Sequence, residues 1–158
     1  MIKKYRKFLT KEEADALIVD FFVNYKPRIP ISKDSKYTDS RSKYHKSKTI
    51  EKIIDKLRED FDFEINEESY WTVEHRKIGH AWHVDTGARN HMLWCQVGVS
   101  IILNPSIKGG DTWYAEDKSG KNAINSHRGL YDLCAHTSNE WHKVDAHEGN
   151  RIVLLMFI

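Results

Sequence analysis

The chain has 158 residues, of which 40% are hydrophobic and 30% are charged, and its formal net charge is +2. This length suits one domain with a substantial core, and the composition is that of a globular protein rather than a disordered one. The small net charge gives the chain as a whole no strong electrostatic preference for nucleic acid or for a membrane surface.

The terminal segments and the cysteines together predict a cytoplasmic protein. The first residues are too polar for a secretory signal, and the longest purely apolar run, Ile152–Ile158, is far too short to span a membrane. Cys95 and Cys134 lie in apolar stretches typical of strands, so we expect buried free thiols rather than a disulfide framework. Because free thiols persist in reducing compartments, we expect the protein to be located in one.

Two amphipathic helices are predicted before residue 67, as support for the rest of a single domain. Thr10 followed by Glu13 is a capping-box pattern, and apolar residues at helical spacing then predict a helix over residues 10–25. A second apolar stripe predicts a helix over residues 49–61. Because each helix has one apolar face, we expect both to pack on the same sheet.

A basic segment, residues 26–48, separates the two helices. It contains eight Lys or Arg and two Asp, a balance of 8 − 2 = +6, and it has little apolar content. We expect a solvated surface loop. The alternative is a lid or clamp for an anionic substrate, with Tyr37 and Tyr44 available for stacking.

The region 67–158 is a series of short β-rich segments separated by turn residues. Strands are predicted near residues 69–78, 81–86, 93–103, 111–115, 121–125, 130–136, 142–146 and 151–158. Eight short strands preceded by two helices predict a mainly β fold with α, a double-stranded β-helix (jelly roll) with both helices packed on one sheet.

Two histidines and one aspartate in this region have the composition of an open metal site. Residues i and i+2 of a strand point to the same face, so His83 and Asp85 are expected to hold one ion together. His142 would reach the same ion from another strand. Two imidazoles and one carboxylate leave three octahedral positions free, which is typical of non-haem iron(II) oxygenases.

Other combinations of the nine histidines are weaker candidates. His80 with His83, or His142 with His147, lacks a carboxylate at i+2 together with a third ligand at a plausible strand distance. A closed zinc site is disfavoured because the sequence has no C-x-x-C pair.

Arg151, nine residues after His142, begins the apolar strand RIVLLMFI. If this strand lies inside the jelly roll, the guanidinium needs an anionic partner, because an unpaired buried charge is costly. A carboxylate matches its planar fork in a bidentate arrangement. The alternative is that Arg151 lies at the mouth of the strand and is solvated.

The ordered combination HVD, ILNPSIKGGDTWY and HKVDAHEGNRIVL resembles the iron(II)- and 2-oxoglutarate-dependent dioxygenases, above all the prolyl 4-hydroxylase-like group. The resemblance covers residues 70–158. It implies iron(II) ligation by His83, Asp85 and His142, and pairing of Arg151 with the distal carboxylate of 2-oxoglutarate. Relatives often place a Tyr where this chain has Ile102; Ser100 and Gln96, on the same predicted strand face, are expected to substitute in binding the co-substrate.

The activity implied by the resemblance is hydroxylation of an unactivated C–H bond with O2, releasing succinate and CO2. An amino-acid or peptidyl, prolyl-like substrate is favoured, ahead of a nucleobase or nucleotide and other small molecules. Two alternatives remain: a jelly roll that binds a metal or ligand without catalysis, and a nucleic-acid-binding module that uses the basic loop. The loop 87–92 and the basic loop are expected to line the site's entrance.

Overall fold

The computed structural model describes residues 1–24, 35–37, 47–76, 78–86 and 92–158. In these residues the helices are α1 (Lys11–Asn24) and α2 (Lys48–Leu57). The strands are β1 (Ile2–Tyr5), β2 (Ser35–Tyr37), β3 (Tyr70–Arg76), β4 (His80–His83), β5 (Val97–Asn104), β6 (Lys108–Gly109), β7 (Thr112–Ala115), β8 (Ile124–Asn125), β9 (Leu133–Thr137), β10 (Trp141–Val144), β11 (His147–Glu148) and β12 (Ile152–Phe157).

Two antiparallel sheets form the body of the fold. The larger has the strand order β1-β9-β5-β12-β3-β2, the smaller has the order β4-β10-β7-β8, and β11 pairs with β6 in a separate ribbon. The sheets face each other, since the rings of His136 on β9 and His142 on β10 lie 4.3 Å apart between centroids. This is the predicted jelly roll, and the fold prediction is confirmed.

The main core lies between the helices and the outer face of the larger sheet. Side chains alternate along a strand, so Val97, Val99 and Ile101 of β5 join the helices in this core. The same alternation turns Gly98 and Ser100 of β5 towards the smaller sheet. The helices contribute Ala14, Leu17, Phe21, Ile50, Ile53, Ile54 and Leu57 to the core. One sheet therefore serves the core on one face and the space between the sheets on the other.

Both helices begin at the capping residues that the sequence contains. Thr10 Oγ1 accepts a hydrogen bond from the Glu13 backbone N–H at 3.1 Å, and Ser47 caps α2 in the same way through the Ile50 N–H. The Glu13 carboxylate pairs with Lys52 of α2 at 3.0 Å and so ties the helices together. The predicted start of α1 is confirmed.

The strand β1 was not predicted. It pairs antiparallel with β9 along its whole length and forms one edge of the larger sheet. Its burial alternates between exposed and half-buried residues, and its sequence, IKKY, has no apolar periodicity. The N-terminal region therefore contributes a strand to the jelly roll as well as two helices.

Several sequence expectations concern segments outside the described residues. Of the basic loop, the structure describes β2, which pairs with β3, and Ser47 and Lys48 at the start of α2. Tyr44 and most of the predicted entrance loop 87–92 lie in undescribed segments. No helix in the described part of the chain is both long and apolar enough to cross a membrane. Cys95 and Cys134 are buried free thiols, as expected.

Candidate metal centre and its surroundings

The structure brings His83, Asp85 and His142 together between the two sheets. His83 and His142 are cross-strand neighbours on β4 and β10. Asp85 Oδ1 lies 3.5 Å from His142 Nε2 and 3.9 Å from His83 Nε2. Both distances are below roughly 4.2 Å, twice a metal–nitrogen bond of about 2.1 Å. Within the described residues, this is the one group of three such side chains close enough to share an ion.

Backbone carbonyls fix the ring orientation of both histidines. His83 Nδ1 lies 2.8 Å from the Ala81 carbonyl oxygen, and His142 Nδ1 lies 2.9 Å from that of Glu140. A carbonyl only accepts, so each Nδ1 carries the proton and each Nε2 keeps a free lone pair towards Asp85. Burial lowers the pKa of both imidazoles, and that of His142 to about 3. Both rings are therefore neutral near pH 7, as metal ligation requires.

Asp85 is positioned beside the two histidines by a turn and not by the predicted strand. The strand β4 ends at His83, so the alternation of strand side chains does not place Asp85. Asp85 lies in the following turn, where its N–H donates to the Ser138 carbonyl at 3.0 Å. The expectation that His83 and Asp85 share a strand face is therefore wrong, although their side chains do converge.

A buried hydrogen-bond chain behind Asp85 was not predicted. His136 Nε2 lies 2.8 Å from Asp85 Oδ2, and the Tyr114 hydroxyl lies 3.0 Å from His136 Nδ1. With Asp85 ionised, His136 donates through Nε2 and accepts from Tyr114 through Nδ1. Burial opposes ionisation of Asp85, but the hydrogen bond from His136 favours the charged form, and the net effect is a lowered pKa of Asp85. Asp85 is thus held as a carboxylate with Oδ1 directed to the two histidines.

Gly98 has no side chain, and this leaves room for the hydrogen bond between Asp85 and His136. A Cβ at this position would overlap Asp85 Oδ2 and would lie 2.6 Å from His136 Nε2. Real Cβ atoms do not approach other atoms so closely. The sequence signal was present, since Gly98 interrupts an apolar strand, but it did not indicate what approaches the glycine.

Arg151 is buried next to the turn at Gly110. A Cβ on Gly110 would lie 3.1 Å from Arg151 Cδ, and the Arg151 Nε is buried without a hydrogen-bond partner in the described residues. Burial, followed by the nearby charge of Arg128, lowers the pKa of Arg151 to about 9. The alternative of a solvated Arg151 at the strand mouth is wrong, because only 4% of the residue is exposed.

Ser100 and Gln96 were predicted to replace, in binding the co-substrate, the Tyr that relatives often have at the position of Ile102. The structure gives these two residues different surroundings. Ser100 is buried, and its Oγ accepts a hydrogen bond from Arg128 Nη1. Gln96 precedes β5, and its side-chain amide bonds both the N–H and the carbonyl of Glu64, at 3.3 Å and 2.9 Å. The expectation for Gln96 is therefore corrected: its amide fastens the loop before β3 and is not available to a co-substrate.

The donor set fits iron(II) and a diacid. Two neutral imidazoles and one carboxylate are ligands suited to iron(II) and leave octahedral positions open. The orphaned Arg151 Nε is a buried cationic donor of the kind that a carboxylate would satisfy. A cavity of about 170 Å³, lined by Gly110, Asp111 and Thr112 among others, reaches the turn at Gly110 against which Arg151 lies.

Solved structures share this fold across nearly the whole chain. No family model matches the sequence, and no curated protein does. A Trichoplax adhaerens prolyl hydroxylase, solved with a peptide fragment of hypoxia inducible factor, superposes with a TM-score of 0.68 at 16% identity, over 99% of this chain and 82% of that one. The collagen prolyl hydroxylase of Paramecium Bursaria Chlorella virus-1, in its 2-oxoglutarate complex, gives 0.63 and 16%, over 99% and 94%.

A 2OG-Fe(II) oxygenase-family protein from Burkholderia pseudomallei gives a TM-score of 0.67 at 13% identity, over 99% of this chain and 82% of that one. The chain thus has the jelly-roll fold of these oxygenases. Its similarity to the prolyl hydroxylases, first indicated by the sequence motifs, is confirmed at the level of the fold.

Proposed function

We propose that this protein is an iron(II)- and 2-oxoglutarate-dependent dioxygenase that hydroxylates an unactivated C–H bond. The observation that carries the proposal is the convergence of His83, Asp85 and His142, together with the buried guanidinium of Arg151 just before β12. A shared fold does not define an activity, but this combination of side chains has a specific chemical use.

Each side chain in the proposal has a defined task. His83, Asp85 and His142 would hold iron(II), and their combined charge of −1 would leave the centre with one positive charge, suited to an anionic chelator. Arg151 would pair with the distal carboxylate of 2-oxoglutarate. Bound iron(II) supplies the redox chemistry by which 2-oxoglutarate, O2 and R–H become succinate, CO2 and R–OH. The protein contributes ligand geometry and orientation, and burial of the site limits access of water.

We propose an amino-acid or peptidyl, prolyl-like residue as the substrate. Support comes from the structural neighbours, two of which are prolyl hydroxylases and one of which was solved with a peptide. A nucleobase substrate and a non-catalytic binding role are the alternatives that the experiments must separate.

The test begins with anaerobic protein loaded with iron(II). Addition of 2-oxoglutarate should produce a metal-to-ligand charge-transfer absorption, and admission of O2 should yield succinate, slowly without substrate and faster with a suitable peptide. His83→Ala should abolish both signals. His127→Asn is the matched control, because His127 is exposed and its φ of 46° lies in a region that Asn tolerates.

The outcomes separate the alternatives. Unchanged succinate formation in His83→Ala would remove the metal assignment. Charge transfer without succinate would favour the non-catalytic role. Stimulation by oligonucleotides rather than peptides would favour a nucleobase substrate.

A further inference from the structure

The hydrogen-bond chain behind Asp85 extends beyond Tyr114 to a thiol. Cys134 Sγ, on β9, lies 3.4 Å from the hydroxyl oxygen of Tyr114, on β7. Because the Tyr114 hydroxyl donates its own proton to His136 Nδ1, the thiol is the donor in this contact and the phenolic oxygen accepts. The chain therefore runs from Cys134 through Tyr114 and His136 to Asp85.

The Tyr114–Cys134 pair is enclosed between the two sheets. Cys134 is 1% exposed and Tyr114 is 5% exposed. Both cysteines of the chain are free thiols, so Cys134 does not pair with Cys95. Burial restricts the access of bulky thiols and of oxidants from solvent. The reaction partner that is in contact with Cys134 is therefore the phenol of Tyr114.

Tyr114 also adjoins the candidate metal centre. Its ring centroid lies 6.0 Å from that of the proposed ligand His142 and 5.4 Å from that of His136. A phenol that loses an electron becomes a strong acid, and it needs a base in hydrogen-bond contact to take its proton. His136 Nδ1 is such a base, at 3.0 Å from the hydroxyl. The ring is thus close to the centre and already bonded to a proton acceptor.

We propose that Tyr114 and Cys134 form a self-modification site, at which turnover without substrate joins Cys134 Sγ to the Tyr114 ring carbon beside the C–OH carbon. This inference rests on the proposed function, because the oxidising power comes from iron(II), 2-oxoglutarate and O2. The product is a thioether between the two side chains.

The atoms and electrons of this reaction balance. The S–H bond and one ring C–H bond break, and one C–S bond forms. 2-Oxoglutarate, O2 and the pair become succinate, CO2, one water and the thioether. The pair supplies the two electrons and two protons that reduce the second oxygen atom of O2 to water. The phenolic proton that His136 accepts returns to the oxygen, so the hydroxyl is kept.

The thioether would connect the two sheets directly behind the metal ligands. β7 belongs to the smaller sheet and β9 to the larger one. The bond would close a loop between positions that are 20 residues apart in the sequence. Like a disulfide, such a cross-link restricts the unfolded chain and should stabilise the fold.

The experiment looks for the covalent product. Protein is incubated with iron(II), 2-oxoglutarate and O2 without a substrate, then reduced with dithiothreitol, denatured and digested with trypsin. Tyr114 lies in the peptide 109–118 and Cys134 in the peptide 129–143. We expect these peptides as one linked species, two hydrogen masses lighter than their sum, with fragment ions that locate the link. Omission of iron(II), 2-oxoglutarate or O2 should prevent its formation.

Two further readouts use protein from which the metal has been removed by chelation. Thiol titration in urea should fall from two thiols per chain towards one. The Tm of the reacted, metal-free protein should rise by roughly 5–10 °C, as expected for a cross-link that closes a loop of this length.

Three variants test the assignment of the two side chains. Tyr114→Phe and Cys134→Ala should each leave the peptides unlinked, because one partner in the bond is missing. Cys95→Ala is the matched control. It removes the other buried thiol, whose Sγ contacts the Val97 carbonyl at 3.7 Å, and should form the link as wild type does.

The outcomes are distinguishable. If neither succinate nor the linked species forms, the proposed function fails and this inference fails with it. If succinate forms while both peptides stay unmodified, only this inference is overturned. Addition of oxygen to Tyr114 or Cys134 without a link would also overturn it, since the oxidation would then end in hydroxylation or in a sulfur acid.

Discussion

The two carboxylate oxygens of Asp85 have different partners: one is hydrogen-bonded to His136, and the other faces the two histidines of the candidate metal centre. Its Oδ2 lies 2.8 Å from His136 Nε2, and its Oδ1 lies 3.5 Å from His142 Nε2 and 3.9 Å from His83 Nε2. The Tyr114 hydroxyl extends the chain to His136 Nδ1 at 3.0 Å. The carboxylate is therefore oriented by the larger sheet, while both imidazoles come from the smaller one.

Removal of the His136 hydrogen bond should weaken metal binding. We expect His136→Leu to reduce Mn(II) affinity by about 10- to 100-fold, because the hydrogen bond from His136 orients the Asp85 carboxylate and holds it in the ionised form that binds a metal. Tyr114→Phe should have a smaller effect, since it acts one hydrogen bond further away. Calorimetric titration without 2-oxoglutarate measures both. Wild-type affinity in a folded His136→Leu protein would contradict the prediction.

A methyl group at Gly98 should damage the centre directly. Gly98→Ala places Cβ where Asp85 Oδ2 and His136 Nε2 lie, so we expect a loss of about 1–3 kcal/mol in the free energy of unfolding. Mn(II) binding should fall in the protein that still folds. Gly129→Ala is the matched control, since its Cβ would meet Asp132 Oδ2 at an ordinary 3.5 Å. Equal urea-unfolding curves for the two variants would argue against the packing explanation.

Metal loading should stabilise the fold. At a free Mn(II) concentration of a hundred times Kd, binding adds about 2.7 kcal/mol, which corresponds to roughly 5–10 °C in Tm for a chain of this size. Differential scanning fluorimetry with and without chelator measures the shift. Asp85→Ala should lose it, and a shift of wild-type size in that variant would exclude the site.

The stabilising effect of Asp132 should depend on pH. Burial opposes its ionisation, but the backbone N–H donors of Lys7 and Gly129 outweigh burial and lower the pKa of Asp132. A carboxyl with a lowered folded-state pKa stabilises above its unfolded pKa of about 3.9, and the effect is lost as pH falls through the folded-state value. Asp132→Asn should therefore cost about 1–3 kcal/mol at pH 7.

The cost of Asp132→Asn should shrink as the medium is acidified below about pH 4. Urea unfolding of both proteins across this range measures the difference. A cost that stays constant with pH would assign the effect to packing instead of ionisation.

The sequence predicted the jelly roll and the convergence of His83, Asp85 and His142 for separable reasons. Apolar alternation and turn residues report which face of a strand is buried, so eight of the ten strands described after residue 67 were found, with bounds that differ by a few residues. The two-residue strands β6 and β11 were not predicted, because they are too short to show alternation. The metal ligands were found because their types and order are informative. Their role as ligands stays a prediction.

Other parts of the site depend on contacts that no local pattern encodes. His136 meets Asp85 across the gap between the sheets, and Arg128 is placed by a turn. Gln96 was misassigned because the alternation was extended beyond Val97, where β5 begins. In each case the position of a side chain is set by a distant partner rather than by its neighbours in the sequence.

The pairing of β1 with β9 joins the first described strand to one made much later in synthesis. Ile2 faces His136, so about 130 residues must be added before the pair can form. At a ribosomal rate of about 5–20 residues per second this takes roughly 7–26 s. Until then β1 has no strand to pair with, because β9, the strand that carries His136, has not yet been made. Completion of the larger sheet, and with it the support behind Asp85, is a late event in the life of the nascent chain.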